Sequence, residues 1–403
     1  MRGSNYLQAG IIFVVCAVLV FAGVKQATAP YAEAETIGQG VANFKELSDR
    51  FAALAQKKGG VYAYDVLRQA SLPPNTDLHL LGHAVGDILY AQKGVAGIAD
   101  CTQDFRNACS HAVVIGALNE FGPSDSTLKK IDDACKQAPG GSGAYTMCYH
   151  GLGHGVFAYF GYDLQKTDGF CKRMGTAQYH DEQYTQCVGG AIMELMGGGG
   201  HDHDAWLAAR QKYLTSDPLA PCDSALITQA AKGFCYIYIT PQLFEAAGAK
   251  LARPDPITFP KAFSFCDAIP TSKQSNRDAC FGGFGKEFIP LAGDRDIRKV
   301  ATFSDQAYAT AAQWCDLAAP QDGKESCIAQ EVESVFWGGE NDPAASFRFC
   351  SVAPFALQSA CYKRIALSIK RYLPEASQQQ WCDKLAPEYE DGCQPSAPMP
   401  QGV

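Results

Sequence analysis

Apolar residues recur three and four positions apart along much of this chain, the spacing of one helix face. Ile328, Val332, Val335 and Phe336 form one such run, and Ile365 and Ile369 belong to another. Each run opens at a cysteine, Cys327 and Cys361 respectively. Ahead of that cysteine lies a polar stretch bearing glycine or proline. Ahead of the polar stretch another cysteine follows an apolar residue and often precedes an acid, as in Phe265-Cys266-Asp267, Trp314-Cys315-Asp316 and Trp381-Cys382-Asp383. The pattern predicts a helical hairpin in which helix A ends at the first cysteine, a short loop turns, and helix B begins at the second.

The hairpin recurs. Sixteen of the 17 cysteines form eight successive local couples: Cys101/Cys109, Cys135/Cys148, Cys171/Cys187, Cys222/Cys235, Cys266/Cys280, Cys315/Cys327, Cys350/Cys361 and Cys382/Cys393. No CxxC occurs, so the couples read as disulfides rather than thiolate metal sites. Each would contribute about 3 kcal/mol by restricting the unfolded chain. The second cysteines follow one another at steps of 32 to 48 residues. These steps predict an all-α fold, a solenoid-like or curved stack of helical hairpins, each turn clipped by a local disulfide. Two units depart from the form. After Cys235 the β-prone run Tyr-Ile-Tyr-Ile leads into Pro241, which requires a late or irregular helix. An earlier unit, residues 61–97, has no cysteine, and Asp77 stands there as an N-cap in the place of the second one.

Composition adds a compartment. Residues 9–24 are apolar and follow an N-terminal cytoplasmic stub, residues 1–8, which makes them a signal peptide or a membrane anchor. The chain is therefore extracytoplasmic, membrane-anchored or secreted. Residues 25–60 read as a linker and first helix, 61–220 as histidine-bearing repeats, 221–393 as disulfide-stapled repeats, and 394–403 as a disordered tail. A net charge of −8 argues against a nucleic-acid partner.

The repeat frame organises the histidines. Counted from the second cysteine, or from Asp77, the residues His79, His111 and His150 all lie at position +2, and His83 and His154 at +6. Two units thus carry HxxxH, with both rings on one helix face. At about 100° per residue this face points roughly 130° away from the core direction of the clearer B helices. In a stack of hairpins it becomes the concave surface, and three successive units aim five imidazoles at one region. Clustered neutral imidazoles suit zinc, copper or iron. Asp87, four residues past His83, adds a carboxylate to the set His79, His83, Asp87, His111, His150 and His154.

Glu194, at +7, points about 120° away from the histidine direction and is expected at the surface or behind a ligand rather than on the ion. Glu287 recurs at +7 beside Lys286 at +6, which reads as repeat architecture. Gly197 to Gly200 precede His201-Asp202-His203-Asp204, where His201 and His203 could supply an exchangeable ligand. Hydrolase, nucleotide and covalent-haem motifs are absent. Two functions follow. The first is an exported helical-repeat protein that binds a transition metal through a poly-histidine site, for binding alone or as a metal-dependent enzyme. The second is a non-catalytic stapled scaffold that holds a protein or peptide partner on its concave face.

Overall fold

The computed structural model describes residues 31–102, 104–139, 141–174, 180–197, 203–250, 255–338, 343–373 and 375–393. Helices follow one another throughout, and no strand occurs among the described residues. The cysteine-free start comprises α1 (Ala32–Thr36), α2 (Phe44–Lys58), α3 (Gly60–Gln69) and α4 (Leu78–Lys93). The stretch expected as linker is thus partly ordered. Ala34 on α1 is buried, and the Tyr31 hydroxyl donates to Asp65 at 3.2 Å. Next come α5 (Asp104–Phe121), α6 (Asp125–Cys135), α7 (Gly141–Tyr159), α8 (Leu164–Cys171), α9 (His180–Gly197) and α10 (His203–Tyr213). The remainder is α11 (Ala220–Asp223), α12 (Gln229–Tyr238), α13 (Thr240–Ala247), α14 (Phe259–Asp267), α15 (Gln274–Ala292), α16 (Asp305–Cys315), α17 (Gln321–Gly338), α18 (Pro343–Val352), α19 (Phe355–Tyr372), α20 (Glu375–Cys382) and α21 (Pro387–Glu390).

Short polar side chains start several of these helices by accepting from backbone N–H groups that have no partner inside the helix. Asp77 accepts from Leu80, Ser124 from Thr127, Asp163 from Lys166 and Ser304 from Ala307. Near Pro241 the chain breaks into two helices: α12 ends at Tyr238, and α13 restarts with the proline in its first turn, where the missing N–H costs nothing.

All eight expected disulfides are present, from Cys101–Cys109 to Cys382–Cys393, with Cα–Cα distances from 5.4 to 6.0 Å. Buried disulfides in this number fit an oxidising, extracytoplasmic compartment. Helix A ends at its cysteine as expected in α6, α8, α16 and α20. Helix B does not begin at the second cysteine: α15, α17 and α19 each start six residues ahead of Cys280, Cys327 and Cys361. The disulfide therefore pins the end of helix A to the flank of helix B, two turns in.

The last couple departs further from the expected form. Cys393 was expected to open a helix B, and it instead ends a short 3-10 turn, Asp391–Cys393, directly after the four-residue α21. The sequence gives the reason: Pro395 and Pro398 follow within a stretch that has no apolar periodicity to bury. The Cys382–Cys393 disulfide holds this turn against α20 instead of clipping two helices, and Cys393 is 1% exposed. The turn packs on α19, where a side chain at Gly392 would meet Ala366. The final unit is thus a cap on the stack and not a further hairpin.

The B helices form the continuous layer. In order α4, α5, α7, α9, α12, α15, α17 and α19, each packs on the next. Aromatic side chains fill the gaps between α13, α14 and α15, with Phe263 and Phe284 ring centroids 4.2 Å apart and Phe259 and Phe288 4.8 Å apart. Each of these four is fully buried, which contributes about 1.5–3 kcal/mol apiece.

The stack curves until it meets itself. Asn75 N–H donates to the Asp294 carbonyl at 2.8 Å, and Arg298 donates to the carbonyls of Leu67 and Ala70 at 2.9 and 2.7 Å. Residues just beyond α15 thus close on α3 and the start of α4. The expected open concave face is instead the wall of a cavity of about 480 Å³. Among the described residues no helix is long and apolar enough to cross a membrane. The apolar stretch 9–24 and the tail 394–403 lie outside them.

Candidate metal centre

Five imidazoles converge, and three of them, His79, His83 and His154, line the cavity. His79 and His83 come from α4, His111 from α5, and His150 and His154 from α7. Ring centroids stand 4.6 Å apart for His79 and His83, 5.5 Å for His79 and His111, 5.5 Å for His111 and His154, and 5.4 Å for His111 and His150. Small residues bring the helices this close. A side chain at Gly151 would overlap His111, and one at Gly82 would overlap Ala108.

Three of the rings each offer a nitrogen to a common point: donor atoms of His79, His111 and His154 lie within 4.8 Å of one another. Their hydrogen bonds define the tautomers. His79 Nδ1 lies 2.7 Å from the Phe105 carbonyl, which can only accept, so Nδ1 carries the proton and Nε2 holds the lone pair. His154 Nδ1 donates to the Glu194 carboxylate at 3.0 Å, leaving Nε2 as the lone-pair nitrogen, and that atom has no hydrogen-bond partner among the described residues. Neither nitrogen of His111 has one, although the residue is only 1% exposed. Burial holds the His79 imidazole down at about 4 and pushes that of His111 well below the ordinary histidine range. His79 and His111 are thus neutral donors near pH 7.

Nitrogens bound about 2.1 Å from one ion stand roughly 3.4 Å apart, so metal binding would draw these rings inward by about an ångström. The triad could hold a metal ion with that adjustment. The other two histidines sit differently. His83 Nε2 is 3.1 Å from His79 Nε2, and the tautomer of His79 makes His83 the donor. Coordination through His79 would displace that bond. His150 Nε2 faces the Met193 thioether at 3.4 Å, and burial pushes its imidazole well below the ordinary range. Asp87 lines the cavity but lies outside the group of three.

Glu194 is 4% exposed and reaches His154 from the neighbouring helix α9. The sequence placed it away from the histidine direction of its own helix, and the contact arises between helices. A side chain at Gly190 would overlap the His150 carbonyl, and one at Gly153 the Cys187 carbonyl. Two glycines facing each other's backbone let α7 and α9 approach closely enough for Glu194 to meet His154. His201 lies outside the described residues, as does the side chain of His203.

The frame that located the histidines also locates other residues of the cavity lining. Met193, Pro241 and Lys286 fall six residues after Cys187, Cys235 and Cys280, as His154 does after Cys148, and all line the cavity. Arg106 has no such signal. It sits in a left-handed turn at the start of α5, where Phe105, Arg106 and Asn107 have φ of 53°, 58° and 62°. No family model, curated protein or solved structure matches this chain.

Proposed function

We propose that this is an exported protein that binds a single transition-metal ion through His79, His111 and His154, with Glu194 orienting His154. The observation that carries the reading is the buried, neutral His111, whose two nitrogens have no hydrogen-bond partner among the described residues. An orphaned buried polar ring costs about 1–3 kcal/mol, and an ion shared with His79 and His154 would relieve that cost. The carboxylate behind His154 and the carbonyl behind His79 are the outer contacts that fix ligating imidazoles in metal sites. Zinc, copper and iron all accept this donor set.

Three protein ligands leave coordination positions open toward the cavity. An ion there would supply Lewis acidity to a bound small molecule. The chain's own residues hold the rings, exclude bulk water from them and shape a space of small-molecule size.

Elemental analysis of the purified full chain should find about one transition-metal ion per molecule. His111→Ala should lose it while keeping the helical circular-dichroism spectrum. Metal-free wild-type protein that takes up no zinc, copper or iron on dialysis would remove this reading.

A further inference from the structure

The cavity lined by His79, His83 and His154 also carries three cations, Arg106, Lys286 and Arg295, beside Glu287 and Tyr238; its other carboxylates are Asp77, Asp87 and Glu194, the last held by His154. We propose that these cations form an oxyanion-binding site, with Arg106 and Lys286 holding the carboxylate or phosphoryl group of a small anionic ligand whose other end faces the histidines. The inference rests on the metal-centre reading for what the ligand meets at the histidines, but not for how its charge is held.

Arg106 makes no hydrogen bond or ion pair among the described residues, although it is half-buried in the cavity wall. Its backbone is costly to maintain. Three consecutive non-glycine residues in the left-handed region cost roughly 1–2 kcal/mol each. A short local disulfide, Cys101–Cys109, encloses the turn. The same turn aims the Phe105 carbonyl at His79 and presents Arg106 to the cavity, so one strained loop serves both the histidines and the cations.

Lys286 projects from α15 with its ammonium 2.5 Å from Glu287 and 5.1 Å from the Tyr238 ring centroid. Burial pushes this ammonium down, and the charges of Arg106 and Arg295 push the same way. Against burial, Lys286, Arg295 and Arg106 together hold the Glu287 carboxyl at about 2. The four groups thus share one electrostatic neighbourhood, and Glu287 is committed to Lys286. A guanidinium fork with an adjacent ammonium matches carboxylate or phosphate oxygens, and a low-dielectric wall strengthens that attraction.

The test is isothermal titration of the full chain with inorganic phosphate and with succinate, both metal-loaded and after chelation. One or both probes should bind in both states. Lys286→Gln and Arg106→Gln should each weaken binding about ten-fold or more, with helicity and metal content unchanged. Phosphate binding without succinate assigns a phosphoryl ligand, and the reverse a carboxylate. The Arg106 change could disturb the turn, so the Lys286 variant, in a regular helix, decides. Binding of neither probe, or equal affinity in Lys286→Gln, overturns the proposal. Wild-type protein that binds a probe but takes up no metal would sink the metal centre and leave the oxyanion site standing.

Discussion

At the scale of single residues, the polar groups of the histidine cluster are arranged as donors with support behind them. Glu194 fixes which nitrogen of His154 faces the cavity, so Glu194→Gln keeps the shape and loses the charge that makes the ring a good donor. Metal affinity should fall about 10- to 100-fold in competition with a chelator, since outer contacts of this kind carry that weight. Unchanged affinity would mean that Glu194 only packs. Glu331, on α17, is a different buried carboxylate. It is fully buried, and neither oxygen has a hydrogen-bond partner among the described residues. Burial raises it well above its ordinary value of 4.5. The unfolded chain releases this proton near that value while the folded chain holds it, so the unfolded state binds fewer protons as pH rises and stability falls. Glu331→Gln removes the penalty. Its stability advantage over wild type should grow by up to about 1.4 kcal/mol per pH unit above 4.5, until the folded carboxyl ionises. Urea melts from pH 5 to 8 read this directly, and a constant difference would show that Glu331 ionises normally.

At the scale of elements, the close pair α7 and α9 is decisive because it brings His150, His154, Met193 and Glu194 together. Gly190→Ala would place a methyl group against the His150 carbonyl. Backbone cannot yield as a side-chain tip does, so the helices must separate, at about 1–3 kcal/mol. The melting temperature should drop and metal binding should weaken together. Gly197→Ala is the control, because nothing lies near its added methyl group. Much at this scale was legible in the residues. Cysteine spacing marked the hairpins, and counting from the second cysteine put five histidines on one inner surface. The helix starts were misread because the disulfide joins an end to a flank, so a cysteine marks contact rather than a boundary. Cys393 shows this most plainly, since it is paired as expected yet ends a 3-10 turn and opens no helix. Glu194 was expected at the surface or behind a ligand; it stands behind His154, and phase within one helix could not decide between the two because it says nothing about reach into the next. Arg106 was invisible because its left-handed turn breaks the periodicity by which residues are assigned to faces.

At the scale of the molecule, closure turns a curved stack into a container. The sequence carries curvature only as a small rotation per repeat, and whether the ends meet depends on the sum of many such rotations. The joint itself is modest. Arg298 satisfies the carbonyls of Leu67 and Ala70 at the end of α3, where a helix leaves its last acceptors without partners. Asp296 orients the guanidinium through bonds of 2.8 Å to Nε and Nη2. Arg298→Ala should therefore cost about 1–3 kcal/mol through the carbonyls it abandons. The disulfide-clipped hairpins away from the joint should persist. Far-ultraviolet circular dichroism should stay as in wild type, while hydrogen exchange should quicken selectively in residues 60–76 and 290–302. Release of metal to a chelator should accelerate as well, because the cavity gains an exit where the ends now meet. Faster exchange at the joint without faster metal release would show that closure shapes the molecule but does not guard its interior.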